Sequence, residues 1–542
     1  MTAQSESYRT EPRLDSRGRQ LLPPSPPSAW ATFIRLGLSG IRAVGFTDSD
    51  RESARLRQSG HMVTGPGLYL KPRFRFLTKR VSEGLNGTEI ALNSAQIVRE
   101  FYSYPKEMID HEIVKDPYIR FVLGTYSPFL LDGQLHVATR RAITPELTQS
   151  AVEQYRDMSI EVLDRIIDDM PLGEPVSSQA MFYRFTQEII LRVLFGLTDQ
   201  AEIDTEVGHL NKLVRRLSDS YLRFYPMSAV LLLTQPHSKR FGRRSQDWMP
   251  YFRRRTDALI TRKIAEFRAH PNEDSMAARI IKARLDQPEW TDKRFGDLFR
   301  TMLFAGHETS VSAYSWAVDL LAHNTTEREK LIAEARAGET DVYAQACNNE
   351  TLRLRPPFWG FGGIPREDIS LNGYHVRAGT YSMIVSSAVH YDPNTYPSPY
   401  EFRPERFLDM TPDRNGFVPF GVGRHRCPGL NFYMIEANIV LHRIFGRLDL
   451  RPAGPPDRAY VALGALTRPA GGVKVIIDHR RPAAEVPCYR AKTSEDRARI
   501  AAMRAPLPED FPADHVPTGR EKHSPADASV DPGVCPYNGA KG

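Results

Sequence analysis

A mainly α fold with a minor β component is what this 542-residue sequence predicts, and three observations carry the prediction. Apolar residues recur at spacings of three and four over long segments, the period of a helix that buries one face. Runs with strand character are short and fall late in the chain. No internal repeat interrupts the long middle region, and hydrophobic residues make up 41% of the chain, enough for a single large core.

Taken in order, residues 1–50 start polar and pass through LLPPSPPSAW, which marks an N-terminal extension. The folded domain is expected over residues 51–478. Helical periodicity is clear at Ala151–Asp169, Ala180–Phe195, Ile203–Leu222 and Arg254–Ala269, with one longer pattern from Arg294 to Ala322. A last helix starts near Leu430. Strand signals lie at Tyr374–Ile384 and Val473–Ile477. Residues 479–542 are rich in Pro, Ala and charge with few large apolar side chains, a composition expected to stay disordered.

Lys and Arg number 72 and Asp and Glu 65, a formal charge of +7. The surplus is mild for this length, and no basic stripe alternates with stacking aromatics, so nucleic-acid binding is not expected. The N-terminus is too polar for a secretory leader. Arg35 and Arg42 interrupt the apolar stretch Ala29–Phe46, and the run AVLLL ending at Leu233 is short, whereas a membrane span needs ~20 mostly apolar residues. No transmembrane span is expected; peripheral membrane contact stays open at those two patches. The four cysteines, Cys347, Cys427, Cys488 and Cys535, are too few for a disulfide scaffold and show no CxxC or zinc spacing. A cytoplasmic, monomeric protein is the expectation.

The informative segment is Phe417–Phe445, FVPFGVGRHRCPGLNFYMIEANIVLHRIF. Gly421 and Gly423 permit a tight loop, Cys427 follows it, and Pro428 suits a first helical turn. Cys427 is thereby placed at a helix N-terminus, where the dipole and free N–H groups favour a thiolate. His425 and Arg426 add donors or positive charge, and Gly429 lets another surface approach. A thiolate fixed this way serves as nucleophile, redox sensor or metal ligand. A buried structural cysteine is the plain alternative, because free Cys is among the most buried residue types.

The surrounding frame decides among these. Phe420, Gly423, His425, Cys427 and Gly429 stand in the pattern FxxGx(R/H)xCxG, and here the chain resembles the cytochrome P-450 superfamily. The resemblance implies a single P-450-type haem domain, with Cys427 as the proximal metal ligand of haem b and Phe420 and Gly429 beside the cofactor. His425 takes a slot more often held by Arg and is implied to pair with a haem propionate.

Three further motifs stand in the same order as in that family. Glu350 and Arg353, in NNETLRLRPP, share one helix face; alone, such a pair is common and worth about 0.3–0.5 kcal/mol. A Pro-Pro stop and the segment FRPERF, Phe402–Phe407, follow it. The resemblance implies a buried triad of Glu350, Arg353 and Arg406 behind the cysteine loop, and Arg353 is counted with the cofactor-binding residues. In FAGHETSVSAYSW, Phe304–Trp316, Gly306 costs a helix interior about 1 kcal/mol relative to Ala. Thr309 can bond back to the preceding turn, so the helix can open here. A helix defect beside a solvated acid is the plain alternative. The segment matches (A/G)Gx(D/E)T, which implies that Glu308 and Thr309 are a catalytic acid–alcohol pair relaying protons to dioxygen. Finally, DGQLHVATRRAI puts His136 and Arg140 one turn apart. By themselves they read as two exposed residues; the resemblance implies partners for the propionates.

The resemblance spans residues 50–478 and implies a haem-thiolate monooxygenase that places one oxygen atom into a C–H or double bond of a small apolar substrate. Tyr126–Leu130, Met302–Ala305, Phe358–Phe361 and Ala462–Leu466 are expected to line the substrate pocket. No GxGxxG unit or iron–sulfur cysteine cluster follows the haem region. Electrons are therefore expected from a separate ferredoxin- or flavodoxin-type protein, steered by those of Arg414, Arg424, Arg426, Arg443 and Arg447 that are exposed. A haem-binding sensor or carrier without turnover would share Cys427 but need neither Glu308 nor Thr309. A hydrogen-peroxide-dependent peroxygenase usually lacks the acid–alcohol pair that this sequence keeps.

Overall fold

The computed structural model describes residues 88–105, 107–110, 122–214, 239–358, 360–409, 413–456, 459–463, 466–469 and 471–489, with two short strands, Thr47–Asp48 and Val63–Pro66. Helices dominate, and several begin where a polar side chain accepts a backbone N–H that the first turn leaves open. Asp132 caps Gly133–Ile143, Ser177 caps Ser178–Phe195 and Thr291 caps Asp292–Ala305. The pattern at Ala151–Asp169 resolves into two helices, Gln149–Glu153 and Arg156–Asp168. Arg254–Ala269 belongs to a longer helix, Lys239–Ala269. The pattern at Ile203–Leu222 is helical through residue 214, and its remainder lies outside the described residues. Val342–Leu354 stops just before Pro356 and Pro357, as the missing N–H and the restricted residue ahead of proline require.

Strands are more numerous than the sequence suggests. A five-stranded sheet runs in the order Val63–Pro66, Thr88–Leu92, Tyr381–Val385, Gly360–Pro365, Ile109–Asp110. Its Thr88–Leu92 strand lies parallel to Tyr381–Val385, with Ile90 opposite Ser382. A second sheet places Lys474–Arg480 between Leu448–Pro452 and Pro175–Ser177. The strands ahead of residue 180 are two to five residues long, too short for alternation to show in the sequence.

Two buried clusters position the site. The helical one includes Leu303, Val311 and Tyr314 together with Leu430, Tyr433 and Met434. The sheet-side one joins Ile90, Leu92, Phe101 and Ile384 to Val418 and Val422. The cysteine loop is rooted in the sheet-side core, while the helix after it belongs to the helical core. Residues 479–489, assigned by composition to the tail, are packed in part: Val486 is buried and its carbonyl accepts from Arg443 at 2.5 Å. Gly446 permits this, since a Cβ there would stand 2.6 Å from the Val486 side chain. The rest of that tail, nearly all of residues 1–50 and both apolar patches lie outside the described residues. Among the described residues no helix is long and apolar enough to cross a membrane.

Candidate active site

The cysteine loop closes on itself. Cys427 N–H donates to Phe420 O at 2.7 Å. Gly421 (φ +78°) and Gly423 (φ +71°) adopt the left-handed backbone that side chains disfavour. At Gly423 a Cβ would also stand 2.8 Å from the ring of Tyr102. The cysteine helix then runs Leu430–Arg447. Cys427 presents surface, whereas Cys347 is buried. A Cβ on Gly429 would sit 3.7 Å from the sulfur, so glycine keeps that side of it open.

The helix-start argument for a thiolate is corrected by the packing. The residue has exposed surface, yet protein crowds its sulfur, and burial pushes the thiol pKa up. The Gly429 N–H and the charges of Arg140 and Arg426 oppose this and do not prevail. A cation at the sulfur is what would secure the thiolate. Among the described residues no group of three or more His, Cys, Asp or Glu side chains gathers to hold a metal ion. A metal bound at Cys427 would therefore have to take its remaining ligands from a source other than such a cluster, as a porphyrin would supply them.

Behind the loop, Glu350, Arg353 and Arg406 are 0%, 0% and 3% exposed. Arg353 donates to both Glu350 oxygens at 2.7 and 2.8 Å, and Arg406 donates to Glu350 Oε1 at 3.1 Å. The other Arg353 donors reach the carbonyls of His390, Pro399 and Glu401. All five N–H groups of Arg353 are thereby used within the protein, which is what a buried guanidinium requires. Its action on the site passes through the loop. His390, which sequence reasoning did not single out, makes that connection.

The helix Gly133–Ile143 brings His136 and Arg140 to the same loop. The His136 and His425 rings lie with centroids 4.0 Å apart, and Arg140 Nη1 donates to Arg426 O at 2.9 Å. Asp132 pairs with Arg424 at 2.7 Å and stands 3.9 Å from His425. Burial would raise the Asp132 carboxyl, but His425, the Gly133 N–H and Arg424 together hold it well below the usual range. Burial pushes His136 down to about 3, helped by the charges of His425, Arg140 and Arg424. Positive groups therefore exceed the single carboxylate beside Cys427. That donor set fits a cofactor carrying carboxylates next to its metal. Asp132 was also missed, although an Asp-Gly pair ahead of a helical pattern is a cap signal.

On the other side, the long helix expected from Arg294 to Ala322 is two helices, Asp292–Ala305 and Glu308–His323, separated by a turn at Gly306 and His307. A Cβ on Gly306 would stand 3.0 Å from Ile190, so glycine both ends the first helix and admits the helix Ser178–Phe195. Thr309 Oγ1 donates to Ala305 O at 2.9 Å. Glu308 Oε2 accepts from the Tyr183 hydroxyl at 2.8 Å, whose oxygen accepts from Arg468 at 2.7 Å. Neither Tyr183 nor Arg468 carried a sequence signal. The Phe420, Tyr433 and Tyr314 rings follow one another at 5.5 and 5.6 Å, a packed path from the cysteine loop to the Thr309 helix.

Two of the expected pocket segments meet each other, and Tyr126–Leu130 meets the helix turns just ahead of Met302–Ala305. Thr301 Oγ1 lies 2.9 Å from Ser127 Oγ, and Tyr126 N–H donates to Asp297 at 2.9 Å. Phe358 forms a β-bridge with Leu466. Two of the five arginines drop out of the expected face. Arg443 and Arg447, each 1% exposed, turn inward and pair with Asp164 at 2.7 and 2.9 Å. Arg424 is engaged with Asp132, Arg426 is half-buried and Arg414 is exposed.

The cytochrome P450 family model matches residues 88–475. The chain is 28% identical over 360 residues to a protein of Mycobacterium tuberculosis provisionally named cytochrome P450 137, covering 65% of this chain and 73% of that one. It is 29% identical over 340 residues to one of Mycobacterium bovis provisionally named cytochrome P450 135B1, covering 61% and 69%. The match takes in the cysteine loop, the buried triad and the distal turn, and the chain belongs to the cytochrome P450 family of haem-thiolate monooxygenases.

Proposed function

We propose that Cys427 ligates the iron of haem b, and that the enzyme uses dioxygen and electrons from a separate carrier to oxygenate a small apolar molecule. One observation carries this reading: a cysteine with exposed surface in a loop closed by Phe420 O, with Arg140, Arg424 and Arg426 beside it against the one carboxylate of Asp132. The haem supplies oxygen activation and oxygen transfer, which a thiolate ligand favours. His136, Arg140 and His425 would hold its propionates, and Phe420 and Gly429 would flank the cysteine side. The triad of Glu350, Arg353 and Arg406 keeps the loop in shape. Glu308 would act as general acid on the distal side. Thr309 gives its own hydroxyl proton to Ala305 O, which leaves its oxygen free to accept a hydrogen bond from the reacting side. The substrate would contact Tyr126–Leu130, Met302–Ala305, Phe358–Phe361 and Ala462–Leu466. The carrier would be of ferredoxin or flavodoxin type, working with the enzyme in the cytoplasm.

The test is spectroscopic. Reduced protein under carbon monoxide should show the strongly red-shifted Soret band of thiolate ligation, and Cys427→His should abolish it. The same spectrum in both proteins would overturn the ligand assignment. Product that requires both an electron donor and dioxygen would set the enzyme apart from a haem carrier and from a peroxygenase.

A further inference from the structure

Glu308 is tethered. Its Oε2 accepts from the Tyr183 hydroxyl at 2.8 Å, and the same phenol oxygen accepts from Arg468 Nη1 at 2.7 Å. The three side chains come from three elements: Glu308–His323, Ser178–Phe195 and the strand Leu466–Pro469. A guanidinium can only donate and an ionised carboxylate can only accept. The single phenol proton is therefore forced toward Glu308. Burial, and then the Glu308 charge, push the Tyr183 pKa up, so the phenol keeps its proton and serves as an anchor.

The other carboxyl oxygen is placed differently. Oε1 faces Nε2 of His307 at 3.8 Å, beyond hydrogen-bond reach. His307 is fully buried, and its Nδ1 lies 2.7 Å from Leu303 O. A carbonyl can only accept, so the neutral ring carries its proton on Nδ1 and shows a lone pair at Nε2. Among the described residues that nitrogen has no hydrogen-bond partner. With Oε2 occupied by Tyr183, a proton taken up by Glu308 belongs on Oε1.

We infer that Tyr183, oriented by Arg468, is a positioning residue that locks Oε2 of Glu308 and so confines the exchangeable proton of that carboxyl to Oε1. The inference rests on the reading of Glu308 as the distal proton donor. It explains why an acid next to a helix break would have a fixed orientation, which proton delivery along one direction requires. Three groups stand around the Glu308 carboxyl: Tyr183, Arg468 behind it, and His307.

The experiment uses the ferric holoenzyme. Infrared spectra, with the Glu308 carboxyl band assigned by its loss in Glu308→Gln, follow the group without turnover. The band reports the hydrogen bond that Oε2 accepts, so Tyr183→Phe should shift it, with the haem absorption spectrum unaltered. Arg468→Gln should act in the same direction, and Arg468→Lys should stay near wild type. A second readout is hydrogen peroxide released per NADPH consumed, with a surrogate ferredoxin and its reductase. Tyr183→Phe should raise that yield severalfold, and should add nothing in a Glu308→Gln background. An unshifted Glu308 carboxyl band in Tyr183→Phe would overturn the tether, as would an equal effect of Tyr183→Phe on the peroxide yield in both backgrounds. Unchanged peroxide yield in Glu308→Gln itself would instead remove Glu308 as proton donor, and the infrared shift would still decide the tether.

Discussion

The Val418 N–H donates to Nε2 of His390 at 2.9 Å. Nε2 is therefore the acceptor, so the ring is neutral and carries its proton on Nδ1, which faces Arg353 O at 3.0 Å. One buried imidazole thus bridges the Glu350–Arg353–Arg406 triad and the base of the cysteine loop. Arg353 closes the circuit by donating to His390 O at 3.0 Å.

Replacing His390 with Ala strands a buried N–H on Val418 and a buried carbonyl on Arg353, each costing about 1–3 kcal/mol. The expected outcome is a lower melting temperature and faster loss of haem to an apo-globin acceptor. Glu350→Gln removes the charge shared by two buried guanidiniums and should cost more, about 3–5 kcal/mol. Wild-type haem retention in His390→Ala would show that the bridge does not support the loop.

Glu436 gives a prediction about pH. It is buried on the cysteine helix, where Tyr314 donates to its Oε2 at 2.6 Å. Burial pushes its pKa up to about 7, although the Tyr314 bond pulls the other way. The unfolded chain releases this proton near pH 4.5, so between those values the folded state holds more protons than the unfolded one. Stability from this group is full below the unfolded value and falls as pH rises through the folded one. The loss reaches about 3 kcal/mol above neutrality. Glu436→Gln should accordingly raise the melting temperature at pH 8 and leave it nearly unchanged at pH 5. Equal shifts at both pH values would contradict the assignment.

Much of the fold and site was legible because the chemistry fixes local spacing. A cysteine loop with two left-handed glycines, an Arg one turn after a Glu and a Thr bonding back one turn all act within a few residues. What stayed hidden depends on contacts far apart in sequence. Tyr183 meets Glu308 across 125 residues and Arg443 meets Asp164 across 279. Tyr183, His390 and Arg468 look like ordinary residues in their own segments. Which of the loop arginines are exposed could not be read locally, because charge is usually exposed; the neighbouring helix Arg156–Asp168, through Asp164 and Asp168, turns Arg443 and Arg447 inward. The thiol pKa was misjudged for a related reason, since the helix-start effect is local while burial is set by the whole fold.

Thr309→Ala should separate coupling from haem binding. Among the described residues the hydroxyl bonds to Ala305 O, at the end of the preceding helix, so its removal leaves the cysteine side untouched. The haem spectrum and substrate affinity should persist, while severalfold more of the electrons consumed should appear as hydrogen peroxide. An unaltered yield of product per electron would remove Thr309 from proton delivery.

The inward turn of Arg443 and Arg447 changes what an electron-carrier surface can be. Docking by charge needs exposed charge, because a buried, compensated ion pair projects little field into solvent. Arg443 pairs with Asp164 and donates to the carbonyls of Val486 and Ala483, so its task is to hold the 483–488 segment on the cysteine helix. Arg414 remains exposed near the loop, with Arg426 half-buried beside Cys427. In stopped-flow reduction by an acidic ferredoxin, the rate should fall as salt screens the attraction over roughly a Debye length, about 10 Å at 0.1 M. Arg414→Glu and Arg426→Glu should each lower the low-salt rate severalfold and flatten its salt dependence. Arg443→Gln should instead lower the melting temperature, by the several kcal/mol that a broken buried pair costs, roughly 3–5 kcal/mol, and leave the salt dependence of the folded fraction as in wild type. A salt dependence altered by Arg443→Gln and untouched by Arg414→Glu would reverse this assignment of the face.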